Sequence, residues 1–363
     1  MGDARKFFHH SEPFAMRRGG VLPGFTLAWE SWGTLSPARD NVVLIFTGLS
    51  PDAHAASSEA DPAPGWWEFM VGPDKPIDTN RWYVICVNSL GSCKGSTGPA
   101  SINPDTGELY KTGFPELAIE DIAASADLLI QSLGIDQIAV LVGPSMGGMT
   151  ALAYSLLLPE KSRHFVSLSS AVAASPFAIA IRSLQREFVM ADREYRDGDY
   201  HDWDGPGTGM RLARKLGMIS YRSAEEWRGR FGRDRIPAER ISDKPFAMEF
   251  EVQSYLDAAA ERFIGGFDPN CYLYLSRSMD WFDGAEHGFQ PGGHIPKFES
   301  ARILGVCSDI LFPCYQQQEI ADILETAGIP VSFEELGSIQ GHDAFLVDKD
   351  GFGPNIREYL DAL

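Results

Sequence analysis

Ser145 lies in the run Ile138–Ala151, IAVLVGPSMGGMTA, at the centre of a Gly-x-Ser-x-Gly pentapeptide between an apolar β-type segment and a small-residue helical stretch. A serine hydroxyl attacks a carbonyl only when a base removes its proton and N–H groups hold the oxyanion that forms. A serine on a sharp strand-to-helix turn needs glycine at 143 and 147, where side chains would collide. The helix that begins at Met146 aims its unsatisfied N–H groups and positive dipole end at the same point, so the Met146 N–H is the expected first oxyanion donor. The same pentapeptide can arise by chance in a chain with 36 glycines, and the flanking strand and helix are what carry the reading.

The other two groups that a serine nucleophile needs come late in the chain. Asp309 follows the apolar run ending at Val306, in GVCSDILFP, and His342 follows the next β-type run, in IQGHDAFL. A carboxylate orients the histidine, and the histidine deprotonates the serine. The order Ser145, Asp309, His342 is that of α/β-hydrolase triads, with each residue placed after a strand, where loops gather at one end of a sheet. A second oxyanion donor is expected from FTGLSPDAH, the loop after Val42–Phe46, with Phe46 as the candidate. His54 comes too early for the triad order and reads as structural.

The elements that must position these groups fall into three stretches. Over 1–171, strand-like runs at Leu27–Trp32, Val42–Phe46, Trp82–Val87, Ile138–Val142 and Phe165–Ser169 alternate with helical patterns at Glu116–Leu133 and Met146–Leu158. That is the rhythm of βαβ units around a mostly parallel sheet. Over 172–298 the β-rhythm gives way to helical patterns at Ile179–Ala191, Gly209–Ile219 and Phe250–Phe263, with Gly/Pro-rich joints at Asp204–Gly209 and Gln290–Pro296. Over 299–363 it returns, with Ile303–Val306, a helix from Tyr315, a strand near Val331–Phe333 and a terminal helix Asn355–Leu363. The spacing predicts one α/β core interrupted by a helical lid.

Composition narrows the function. With 363 residues, 44% of them apolar, the chain can bury a large core. Its 31 basic against 50 acidic side chains leave a net charge of −19, which argues against nucleic acid as a partner. An anionic substrate would then need local cations, so isolated mid-chain arginines matter. The five cysteines form no CxxC pair, which fits a reducing compartment and offers no zinc site. The N-terminal MGDARKFFHHSEPFAMRRGG has no apolar leader core, and no run approaches the ~18 apolar residues of a membrane span. A cytoplasmic protein without membrane or metal partners is expected.

Long blocks of the chain carry a family resemblance. They are PGWWEFMVGPDKPIDTNRWYVICVNSLGSCKGSTGPASINPDTG from Pro64, GPSMGGM, RLARKLGMISYRS, FEVQSYLDAAAERFIGGFDPNCYLYLSRSMDWFD and GHDAFLVD. In these the chain resembles the homoserine O-acetyltransferase family of α/β-hydrolase-fold acyltransferases. TGLSPDAHAA and AIAIRSLQRE are similar to its serine O-succinyltransferase branch, while Pro144 departs from the family's elbow. The resemblance implies ping-pong transfer of an acyl group from acyl-CoA, through an acyl-serine, to an amino acid's side-chain hydroxyl. The acyl-CoA is a co-substrate and no cofactor is implied. The branch implies succinyl-CoA and L-serine, in cysteine biosynthesis; acetyl-CoA with L-homoserine, or its succinylation, in methionine biosynthesis is the alternative. An esterase or thioesterase is a remoter one. The resemblance also places the substrate-carboxylate arginine at Arg214, its companion tyrosine at Tyr221 and the ammonium-binding acid at Asp343, and it implies a homodimer formed through the lid. Arg277 and Lys94 are the cations weighed for a succinyl carboxylate.

Overall fold

The computed structural model describes residues 4–200 and 205–363; Met1–Asp3 of the N-terminal segment and Asp204 of the first lid joint lie outside them. Eight strands form one sheet: β1 Lys6–His10, β2 Phe25–Trp32, β3 Val42–Phe46, β4 Tyr83–Val87, β5 Ile138–Pro144, β6 Ser162–Leu168, β7 Ser300–Val306 and β8 Val331–Leu336. Their spatial order is β1-β2-β4-β3-β5-β6-β7-β8, and only β2 runs against the rest. This is an α/β-hydrolase sheet.

Strands β3 and β5 are buried along their whole length, as VVLIF and IAVLVGP require when helices cover both faces. Alternate side chains serve opposite layers. Val42, Leu44 and Phe46 pack with the helices α1 (Ile119–Ser132) and α2 (Met146–Leu157). Val43 and Ile45 pack on the other face with Trp67 and with Phe352 and Ile356. Among the described residues, five α-helices then separate β6 from β7: α3 Pro176–Met190, α4 Gly207–Tyr221, α5 Ala224–Phe231, α6 Glu251–Glu261 and α7 Pro269–Trp281. They form the expected lid. The chain closes with α8 Cys314–Thr326, the single-turn α9 Ala344–Val347 and α10 Lys349–Asp361.

Besides the lid helices α5 and α7, which the sequence reading did not include, the terminal helix and the first strand differ from it. The terminal helix begins at Lys349, six residues before the expected Asn355; Asp348 caps it by accepting from Gly351 N–H at 3.0 Å, and Pro354 is carried inside. Strand β1 was not expected. Its residues are mostly exposed and have no apolar alternation, and only its antiparallel pairing with β2 defines it. Among the described residues, no helix is long and apolar enough to cross a membrane.

Candidate active site

Strand β5 ends at Pro144 and α2 starts at Met146, so the whole turn is made at Ser145, whose φ of 56° and ψ of −125° lie where side chains are rarely found. The flanking glycines permit it. A Cβ on Gly143 would stand 2.2 Å from the Gly147 carbonyl oxygen, and one on Gly147 would stand 2.2 Å from the Phe46 carbonyl oxygen. The turn is tied from both sides: Ser145 N–H donates to the Leu168 carbonyl at 2.9 Å, and Ser170 Oγ donates to the Ser145 carbonyl at 2.8 Å. Pro144 is absorbed as the last residue of β5, and the turn keeps its form.

The loops after β7 and β8 bring Asp309 and His342 to this turn. His342 Nε2 lies 2.8 Å from Ser145 Oγ and accepts its proton; His342 Nδ1 lies 2.7 Å from Asp309 Oδ2 and donates to it. Asp309 is held in turn by the N–H groups of Leu311 and Phe312, which donate to Oδ1 at 2.9 and 3.0 Å. The ring of Phe312 stacks on His342 at 4.9 Å, and Phe345 meets it edge-on. Burial pushes the basicity of His342 down. The charge and hydrogen bond of Asp309, with a contribution from Asp343 and against the charge of Arg182, outweigh that and hold it above the ordinary value.

A pH dependence follows, because only neutral imidazole can take the Ser145 proton. As pH falls through the raised pKa, His342 protonates and acylation stops. The kcat/KM for the acyl donor should therefore be lost on acidification with a midpoint above the roughly 6.5 of an ordinary histidine. A midpoint below that value would contradict the geometry.

The oxyanion side needs one correction. Met146 opens α2 directly after the nucleophile, as expected. Phe46 does not face the site: it is the last residue of β3, 2% exposed, with its carbonyl against Gly147 and its ring packed on Tyr154. Gly48 and Leu49, two and three residues further on, line the cavity beside Ser145 instead, because the chain must clear the elbow before its backbone can face it. His54 is structural, as read. Its Nδ1 meets Glu30 Oε2 at 2.9 Å and its Nε2 meets the Ala63 carbonyl at 2.8 Å, which pins this loop to β2.

Ser145 and His342 open into a cavity of about 190 Å³ roofed by the lid. Arg214 and Tyr221, seven residues apart on α4, both line it, and the Arg214 guanidinium sits 4.6 Å over the Phe263 ring and 6.0 Å over that of Tyr221. Arg214 Nε is buried and has no hydrogen-bond partner among the described residues. Asp343 also lines the cavity. It stands at the N-terminus of α9 without capping it, and its Oδ2 accepts from Arg222 Nε at 2.9 Å. Arg277 and Lys94 do not reach the cavity: Arg277 lies over Trp281 and pairs with Glu116, and Lys94 donates to the Gly266 carbonyl. Sequence reasoning missed Arg182 and Gln185 of α3, which line the cavity, and Arg222, which engages Asp343. The signals for them were the family-resembling blocks AIAIRSLQRE and RLARKLGMISYRS, which contain them, and the weight that mid-chain arginines carry in an acidic chain.

Known proteins resemble the chain at two levels. A family described as alpha/beta hydrolase fold matches residues 41–301. The serine O-succinyltransferase of Litchfieldella anticariensis is 54% identical over 363 residues, spanning 99% of this chain and 99% of its own. That of Stenotrophomonas maltophilia strain K279a is 56% identical over 361 residues, spanning 99% of this chain and 98% of its own. Among solved structures, homoserine O-acetyltransferase from Bacillus anthracis superposes with a TM-score of 0.88 at 25% identity, covering 98% of this chain and 97% of that one. Esterase E22 superposes with a TM-score of 0.86 at 26% identity, covering 98% and 99%.

Proposed function

We propose that this chain, which belongs to the homoserine O-acetyltransferase family of α/β-hydrolase-fold acyltransferases and to its serine O-succinyltransferase branch, transfers succinyl from succinyl-CoA to the hydroxyl of L-serine. The observation that carries the chemistry is the continuous relay from Ser145 Oγ to His342 and Asp309. What supports the substrates is the identity of its serine O-succinyltransferase relatives over nearly their whole length.

In the first half-reaction Ser145 Oγ bonds to the thioester carbonyl as its proton moves to His342 Nε2. The Met146 N–H and the Gly48–Leu49 turn hold the oxyanion; the C–S bond then breaks and the CoA thiolate takes the proton from His342. In the second, His342 removes the proton of the serine hydroxyl, that oxygen attacks the acyl-Ser145, and Ser145 leaves as it regains a proton. Arg214 grips the acceptor's carboxylate and Asp343 its ammonium, the carboxylate of Asp343 being held in place by Arg222. The roofing lid limits water's access to the acyl-enzyme. Acyl-CoA serves as co-substrate, and we place the reaction in cytoplasmic cysteine biosynthesis.

Two steps of mass spectrometry test this. Succinyl-CoA should leave a succinyl adduct on the intact protein, and L-serine should remove it faster than L-homoserine or water does. Removal at the same rate in buffer alone would make the protein a hydrolase, as the structural likeness to esterase E22 would then suggest. Arg214→Ala should acylate normally, yet lose acceptor use by on the order of 10²–10³-fold, because a charged hydrogen bond to the carboxylate is gone. Unchanged acceptor kinetics would refute its role.

The lid also supports a homodimer. Phe177, Leu184 and Met190 on α3 and Leu212 and Ile219 on α4 are large apolar side chains between 40% and 53% exposed. An apolar set of this kind fits the face of a second copy. Sedimentation at the mass of one chain would overturn it.

A further inference from the structure

Two of the five cysteines meet where the core touches the lid. Cys93 lies in SLGSCKG, the loop after β4, and Cys271 lies in the first turn of α7. The Cys271 thiol donates to Cys93 Sγ, and the Asp268 N–H, 175 positions further along the chain than Cys93, donates to the same sulfur at 3.2 Å. The junction is tied from several sides. Asp268 caps α7, its Oδ1 accepting from the Cys271 N–H at 2.8 Å and its Oδ2 from the Tyr200 hydroxyl at 2.8 Å, while Lys94 donates to the Gly266 carbonyl.

The two sulfurs are unequal. Cys271 is fully buried, whereas Cys93 is partly exposed. The hydrogen bond from Cys271, helped by the Asp268 N–H, holds the Cys93 thiol below its ordinary pKa against burial and the Asp268 charge. Burial, with the same hydrogen bond, pushes the Cys271 thiol well up. An accessible sulfur with thiolate character beside a second thiol has the arrangement of an oxidisable pair: one attacks the oxidant and the other resolves the product. In a reducing compartment such a pair stays as thiols until an oxidant arrives.

We propose that Cys93 and Cys271 form a redox-modification site, which a hydroperoxide converts into a disulfide that fastens the lid to the core. With hydrogen peroxide as the oxidant, the Cys93 thiolate attacks one peroxide oxygen and the O–O bond breaks. Cys93 sulfenic acid forms, and the departing hydroxide takes up the proton that the thiol gave up. The Cys271 sulfur then attacks the sulfenic sulfur, the S–O bond breaks, and the hydroxide released leaves with the Cys271 proton as a second water. Two thiols lose two electrons, which the peroxide gains. Among the described residues, those lining the catalytic cavity include neither cysteine, so the sulfur chemistry is separate from acyl transfer and proceeds whatever the acyl group and acceptor are. Its effect reaches the site through α7. Tyr272, next to Cys271, and Ser276 and Met279 on the same helix line that cavity, so a bond at the start of α7 fixes one of its walls to the sheet.

The test treats the full chain with a few equivalents of hydrogen peroxide, quenches it, alkylates the remaining thiols in denaturant and maps the peptides by mass. The peptides holding Cys93 and Cys271 should be joined with the loss of two hydrogens, and dithiothreitol should separate them. The joined protein should unfold at a midpoint on the order of 5–10 °C above that of the reduced one, because the bond closes a long loop. Cys271→Ser should leave Cys93 as a sulfenic acid that dimedone captures, the mark of the attacking sulfur. Oxidation confined to the exposed Cys307, with Cys93 and Cys271 both alkylated, would overturn the proposal, and that result needs no variant to fold. Joined peptides with an unchanged or lowered midpoint would overturn the fastening of lid to core. A Cys271→Ser protein in which dimedone finds nothing on Cys93 would overturn the assignment of Cys93 as the attacking thiolate.

Discussion

Ser145→Ala is expected to leave a folded protein that takes no acyl group from succinyl-CoA and turns over on the order of a millionfold more slowly than the unaltered chain. The expectation rests on position as much as on chemistry. Ser145 is 8% exposed and is held at an unusual backbone conformation by hydrogen bonds to Leu168 and Ser170 that alanine would leave intact, since they involve its main-chain atoms. The substitution therefore removes one oxygen and little else. The absence of the adduct in intact-mass spectra, with an unchanged thermal midpoint, is the supporting result. An adduct that persists would mean that another nucleophile carries the acyl group, and the whole relay would fall.

Asp309→Asn should cost on the order of 10⁴ in kcat/KM, through the tautomer of His342 and not through loss of structure. The Leu311 and Phe312 N–H groups donate to Oδ1, so an asparagine at 309 must present its carbonyl oxygen to them and its amide NH₂ to His342 Nδ1. His342 Nδ1 would then accept, its proton would move to Nε2, and Nε2 could no longer take the proton of Ser145. Single-turnover acylation measures this directly. A loss smaller than about tenfold would show that Asp309 does not set the tautomer. The same substitution removes the charge that holds His342 above its ordinary basicity, so the residual activity should survive to lower pH.

Much of this site could be read along the chain. The elbow was legible because its requirement is local: Gly143 and Gly147 are glycines since a Cβ at either would strike backbone within 2.2 Å, and that constraint leaves its mark in five consecutive residues. Asp309 and His342 were legible because each follows a strand whose apolar run is itself visible, and parallel strands deliver their following loops to one edge. Phe46 failed for a related reason. The strand end was placed correctly, but how many residues the loop needs to clear Gly147 depends on the elbow's shape and not on the loop's own sequence.

The cations show the limit most clearly. Arg277 and Lys94 carry the right charge, yet both already have partners, Glu116 and the Gly266 carbonyl. Arg182 lies in the block AIAIRSLQRE, but its place was set only where α3 met α7, 98 positions away at Asp280. Sequence alone determined the nucleophile, its base, its acid and the α/β core with an inserted lid, since backbone sterics and side-chain periodicity act between near neighbours. Tertiary structure alone decided which charges were spent and which were left over, because a buried ion's free energy depends on every charge packed around it, and those come from helices far apart in the chain.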